Sequence, residues 1–178
     1  YARAHSEATD RWFADVFRQA LGEPNGLALL AVGGYGRQEL CPYSDIDVIL
    51  IHDDLDNYAE AAEALWYPVW DRGLKMGYAV VTEEQARKLA ATELNWATAF
   101  LAARHLAGDV KLFWRFQELT TDVWAADTEA MVGRLADAVA LRHEQYGDAA
   151  FSIEPNLKEG RGGLRDVHAL GWAAQVLP

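Results

Sequence analysis

The sequence predicts an α+β fold, with a small sheet flanked by helices followed by a bundle of helices. Three observations carry this. Short apolar runs rich in β-branched residues, LALLAV (27 to 32), DVILI (47 to 51) and LKMGYAVV (74 to 81), alternate with helical patterns over the first 90 or so residues. Beyond residue 82 the chain runs to 147 without a proline, in long helical periodicities broken near Gly108-Asp109 and near Asp127. A glycine-rich stretch, SIEPNLKEGRGGLRD (152 to 166), then precedes a last helix over 164–176. The expected division is therefore an α/β domain at 1–92 and a helical domain at 93–178.

The elements follow in order. Trp12, Phe13, Val16, Phe17 and Leu21 recur at helical spacing within 4–21, and Gly22 and Pro24 end that pattern. LALLAV suits a buried strand with a glycine turn behind it, and DVILI suits a second. Asn57 is placed to cap a helix running to Trp70, with Ala61, Leu65, Trp66 and Val69 on one face. LKMGYAVV reads as a third strand, and Thr82 with Glu83 and Glu84 opens the next helix. Three or four helices are expected between 83 and 147.

Composition narrows the function. The 178 residues suffice for one domain or two small ones, and a net charge of -11 argues against a nucleic-acid footprint, which needs clustered Lys and Arg. A single cysteine, Cys41, excludes an internal disulfide and a multi-cysteine metal site, and points to a reducing, cytoplasmic compartment. No apolar run approaches the ~20 residues of a membrane span. The polar start, YARAHSEATDRWF, is no signal peptide. A chain that opens without methionine reads as a portion of a longer one.

The stretch VGGYGRQELCPYSDIDVIL (32 to 50) carries the chemistry. On a strand, Asp45 and Asp47 share one side while Ile46 and Val48 take the other. Two neighbouring carboxylates repel unless a cation lies between them, and hard divalent ions, Mg2+ (or Mn2+), suit oxygen ligands of this kind. Gly33 and Gly34, just after a strand, let backbone N–H groups approach an anion with no Cβ in the way. Arg37 follows and can pair with phosphate oxygens, and Ser44 adjoins the acids. Such a site performs phosphoryl or nucleotidyl transfer. Taken singly, a Gly-Gly is usually a turn and an Asp-x-Asp a solvated strand start; their order between two apolar strands makes one site of them. Lys158, Arg161 and Arg165 form a cationic loop that either is merely solvated or neutralises a triphosphate. The five histidines show no ligand spacing, and the seven tryptophans fall mostly on apolar faces. Tyr35 and Tyr43 flank the site, as pocket walls or as turn packing.

Gly-Gly, some ten residues, then Asp-x-Asp within an apolar strand resembles the signature of the DNA polymerase β-type nucleotidyltransferase superfamily. GGYGRQELCPYSDIDVILI, followed by WDRGLKMGYAV and EPNLKEGRGGLRDVHALGW, is similar to the PII-protein uridylyltransferases. The resemblance spans Leu27 to Trp172; glutamine-synthetase adenylyltransferase domains share the layout. It implies Mg2+-dependent transfer of a nucleoside monophosphate, UMP foremost, from an NTP (UTP or ATP) to a tyrosine of a PII-type signalling protein, releasing pyrophosphate. It also implies Asp45 and Asp47 as metal ligands, with Gly33, Gly34, Arg37, Ser44, Lys158 and Arg165 on the nucleotide. An NTP-binding regulatory module with faded catalysis, and an adenylyltransferase acting on PII or on glutamine synthetase, are the alternatives. One departure stands out: the superfamily adds a third carboxylate from a later strand, and LKMGYAVV has none, with Gly77 or Tyr78 near its place. Either two carboxylates suffice, or Asp166 or Glu154 serves, or catalysis is weakened.

Overall fold

Helix α1 (Ala2–Leu21) forms where Phe13, Val16 and Phe17 share one buried face. It stops at Gly22, whose φ of 70° sends the chain away while its N–H still bonds the Arg18 carbonyl. A computed structural model describes residues 1–53, 58–151 and 153–177. The remaining elements are β1 (Leu27–Ala31), α2 (Gly33–Gly36), β2 (Ile46–His52), α3 (Tyr58–Trp70), β3 (Met76–Thr82), α4 (Glu83–Thr92), α5 (Leu94–Leu101), β4 (Arg104–Gly108), α6 (Val110–Ala126), α7 (Thr128–Tyr146), a 3-10 turn (Ala149–Phe151) and α8 (Leu164–Val176). The Asn57 cap lies outside the described residues.

The architecture is α+β, as expected. The strands form one mixed sheet in the order β3-β2-β1-β4. β1 pairs antiparallel with both β2 and β4, and β2 pairs parallel with β3 through the α3 crossover. Every residue of β1 is buried, and so is β2 from Val48 onward. Both faces of the central strands are therefore covered, which is why they read as continuous apolar runs rather than alternating ones. On one face Leu29, Val48 and Leu50 pack with Phe13, Phe17, Leu65 and Trp66. Truncating Leu50, fully buried in this cluster, to Ala costs about 2–5 kcal/mol.

β4 is the element the sequence reading missed. Residues 83–147, read as helices throughout, surrender Arg104–Gly108 to the sheet. RHLAG has no β-branched residue, so its local preference gives no strand signal. The outer edge of β1 decides the matter, because its N–H and C=O groups need partners and Ala28 to Ala31 find them between Arg104 and Gly108. Two helices of this region have clear starts. Thr82 and Gln85 form a reciprocal capping box at α4, and the Asp109 carboxylate accepts from the N–H groups of Lys111 and Leu112 as α6 begins.

The chain gathers into two compact units, Tyr1–Thr120 and Thr121–Pro178. Residues 92 to 93 lie at the junction of α4 and α5, two helices that pack on each other within the first unit. In the second unit α7 packs against α8. Asp127 caps α7 through its side chain, at the break the sequence marked. Of the expected bundle the chain thus holds the end of α6 with α7 and α8. No helix among the described residues is long and apolar enough to cross a membrane.

Candidate active site

The end of the sheet where β1 stops and β2 and β3 start assembles the first motif. β1 runs out at Ala31, and the Val32 N–H bonds the Asp47 carbonyl, tying the turn to β2. The chain then swings into α2 through Gly33 at φ 58°. A Cβ on Gly33 would stand 3.0 Å from Asp47 Oδ2, so both the backbone conformation and the closeness of the carboxylate require glycine here. The first N–H groups of this short helical turn have no acceptor within it. The Gly-Gly turn and the second aspartate do meet.

Burial alternates only where β2 begins. Ile46 and Val48 are buried, Asp47 is half-buried, and Asp45, the residue just before the strand, is exposed. Asp47 is walled in by a second glycine. It stands opposite Gly77 in the β2–β3 register, and a Cβ on Gly77 would sit 2.5 Å from Asp47 Oδ1. The place where a third carboxylate was sought is therefore filled by the Asp47 carboxylate itself.

Arg37 closes α2 and lies over the turn, its Nη2 3.9 Å from the place of a Gly34 Cβ. Its Nε also donates to Glu39 at 2.8 Å, so a phosphate would compete with that partner. Ser44 belongs to a tight turn. Its hydroxyl accepts the Cys41 N–H at 3.0 Å while its own N–H bonds the Cys41 carbonyl, which leaves the hydroxyl proton able to donate elsewhere. Tyr35 is fully buried and tilted against Phe13, hence turn packing and not a pocket wall. Tyr43 is fully exposed at φ 67°. A cavity of about 530 Å³ beside the Cys41–Ser44 turn, lined by Trp12, Leu40, Ile46, Arg72, Leu74 and Lys75, holds neither aspartate. The acid pair sits on the open end of the sheet.

The second unit orders the other motif by itself. Asn156 Oδ1 accepts the N–H groups of Lys158 and Glu159, and the N–H groups of Leu164 and Arg165 return to the carbonyls of Leu157 and Lys158. Lys158 is thereby held in the loop and Arg165 in the first turn of α8. Arg165 Nε lies 3.6 Å from Glu159 Oε1, and the Lys158 ammonium has no ion-pair partner among the described residues. Asp166, weighed above as a third metal ligand, is otherwise occupied. It accepts from Arg142, from His143 Nε2 at 2.8 Å and from the Gly162 N–H at 2.7 Å. Burial pushes its carboxyl up, but Arg142, the Gly162 N–H and His143 outweigh that and hold it well below the usual carboxylate range. Neither Arg142 nor His143 carries a motif signal, since only the packing of α7 on α8 gives them a role. Among the described residues no group of three or more His, Cys, Asp or Glu could hold a metal ion. The oxygen donors at this end of the sheet are the carboxylates of Asp45 and Asp47.

A glycine turn, the strand-borne Asp47 and Asp45 just before the strand thus lie at one end of a mixed sheet. The chain belongs to the nucleotidyltransferase family whose model, "Putative nucleotidyltransferase DUF294", matches residues 1–93. A second family model, "GlnD PII-uridylyltransferase", matches residues 129–178. A bifunctional uridylyltransferase/uridylyl-removing enzyme of Streptomyces coelicolor is 46% identical over 170 residues, covering 94% of this chain and 20% of that protein. The enzyme of the same name from Mycobacterium tuberculosis is 37% identical over 164 residues, covering 90% and 20%. The chain therefore spans about a fifth of the length of these curated relatives. A solved structure described as a toxin-antitoxin with AMP-PNP superposes on 74% of this chain and 98% of that one, at 18% identity and a TM-score of 0.44, too loosely to support an argument.

Proposed function

We propose that this chain is the nucleotidyltransferase portion of an enzyme that transfers UMP from UTP to a tyrosine of a PII-type protein, with Mg2+ or Mn2+ as cofactor. The observation that carries the reading is Asp47, held between Gly33 and Gly77 and two residues along the chain from the exposed Asp45. Two hard oxygen donors on one side of a strand fit a divalent ion that keeps water and phosphate as its other ligands. Bound there, such an ion supplies charge stabilisation at the attacking and leaving oxygens.

The chain's own residues do the rest. Gly33 and Gly34 present backbone N–H groups to the triphosphate, and Arg37 exchanges Glu39 for a phosphate oxygen. Ser44 donates its hydroxyl proton to the nucleotide. Lys158 and Arg165 are assigned to the triphosphate on the strength of their motif. The acceptor tyrosine hydroxyl gives up its proton to solvent, its oxygen bonds to the α-phosphorus, the bond from that phosphorus to the oxygen bridging the β-phosphate breaks, and pyrophosphate leaves. Names of relatives support the PII-type acceptor and the uridylyl group.

One observation favours a second reading, an NTP-binding module with faded catalysis: Gly77 stands where a third carboxylate was sought. The experiment that separates them uses the full-length enzyme, a PII-type protein and each NTP in turn, with the acceptor weighed by mass spectrometry. A mass gain of one UMP per tyrosine, with UTP, is the expected result. A gain with ATP instead makes it an adenylyltransferase, and NTP binding without any gain makes it the module.

A further inference from the structure

Arg104, the first residue of β4, reaches across the fold to the far end of the phosphate turn. Its Nη1 and Nη2 grip the Asp10 carboxylate of α1 at 2.6 and 3.0 Å. The same guanidinium donates from Nη2 to the Tyr35 carbonyl at 3.2 Å and from Nε to the Gly36 carbonyl at 3.3 Å. Its Cζ lies 5.5 Å from the centroid of the Tyr35 ring. The turn is pressed against the chain just before this strand as well: a Cβ on Gly36 would collide with the Ala102 carbonyl oxygen.

From this geometry we propose that Arg104, oriented by Asp10, is a positioning residue for the nucleotide's phosphates. The inference rests on the assignment of the Gly33–Gly34 turn to the triphosphate. Its physical basis is the shape of α2, which has only four residues, so that its last carbonyls look to partners outside a continuing helix; the Tyr35 carbonyl takes the Gln38 N–H at 3.0 Å and keeps a second lone pair. Arg104 satisfies two of those carbonyls with a rigid planar fork, and Asp10 fixes the fork by taking its other edge in a bidentate pair. The turn's opposite end, with the N–H groups of Gly33 and Gly34, is thereby held in one orientation over Asp47. Both charged side chains are largely buried, at 28% and 22% exposure, so the pair resists screening better than a surface one. Lysine cannot copy this arrangement, because a single ammonium lacks the fork that bridges a carboxylate and two carbonyls.

The alternative is that Arg104 only stabilises the fold, and Arg104→Lys distinguishes the two. The substitution keeps a cation opposite Asp10 but gives up the carbonyl bonds. In the full-length enzyme, MgUTP affinity is measured by calorimetry, and KM and kcat are measured with a PII-type acceptor. Expected are a Kd and a KM for MgUTP raised about tenfold, equivalent to about 1.4 kcal/mol, a kcat changed far less, and a melting transition still above the assay temperature. Wild-type Kd and KM in a folded Arg104→Lys enzyme overturn the proposal. If that variant does not fold, Asp10→Asn, which keeps the size and one acceptor oxygen, takes its place; unchanged MgUTP affinity there overturns it equally. Should the wild-type enzyme bind MgUTP yet modify no acceptor, the assigned function fails while the calorimetry still tests the clamp.

Discussion

The Asp47 carboxylate and Gly77 of the neighbouring strand occupy what is sterically one place. In their parallel register a Cβ at residue 77 would stand 2.5 Å from Asp47 Oδ1, well inside any allowed contact. Gly77→Ala should therefore displace the Asp47 side chain and little else. Nucleotide transfer is expected to fall at least about tenfold, in line with the cost of disturbing a group that stabilises developing charge. The apo melting temperature should move by no more than about 2–4 °C, the equivalent of about 1 kcal/mol in a chain of this size. Wild-type kcat in a folded Gly77→Ala enzyme would show that Asp47 does not need this wall.

Asp45→Asn and Asp47→Asn keep side-chain size and remove charge. Each is expected to lower transfer about 10²-fold or more, while the apo protein melts at the same temperature or higher because two carboxylates no longer repel. Metal dependence goes with this: excess EDTA should weaken NTP binding by the wild type and change it little in Asp47→Asn. Equal NTP affinity with and without EDTA in the wild type would remove the cation from the site.

Lys158 in the loop before α8 and Arg165 in its first turn offer an internal comparison. Lys158→Ala removes a cation with no ion-pair partner among the described residues, so the fold should not respond. Arg165→Ala also releases Glu159, 3.6 Å away, a weak ion pair worth no more than about 1 kcal/mol. Both variants are expected to raise the Kd for MgUTP several-fold with melting curves close to wild type. Unchanged affinity in both would make the loop a merely solvated one.

Asp166 predicts a pH dependence of stability. Its folded pKa lies below its unfolded value, so its contribution is complete above the unfolded value near pH 4 and is lost as the pH falls toward the folded one. Removing the charge with Asp166→Asn should cost about 1.5–3 kcal/mol at pH 7, the range for hydrogen bonds to a charged group. The gap between wild type and variant in denaturant midpoint is expected to be widest near neutrality and to narrow below pH 4. A gap that stays constant down to pH 2 would mean that the Arg142 and His143 contacts do not depend on the carboxylate's charge.

What the sequence by itself determined is local in origin. Phe13, Val16 and Phe17 mark α1 by their spacing, LALLAV and DVILI mark β1 and β2 by continuous apolar character, and Thr82, Asp127 and Gly163 mark helix starts. The Gly33–Gly34 turn and the Asp45–Asp47 pair were legible for the same reason, since a glycine turn and a period of two are properties of a few consecutive residues. Only the tertiary structure decided the rest. RHLAG became β4 because the β1 edge lacked partners, against its own preference. Gly77 took on meaning only opposite Asp47, and Asp166 only beside Arg142 and His143. Arg104 joins Asp10, 94 residues earlier, to the carbonyls of Tyr35 and Gly36. Contacts over such separations arise from how the strands pair and the helices pack, and neither composition nor periodicity encodes which residues those packings bring together.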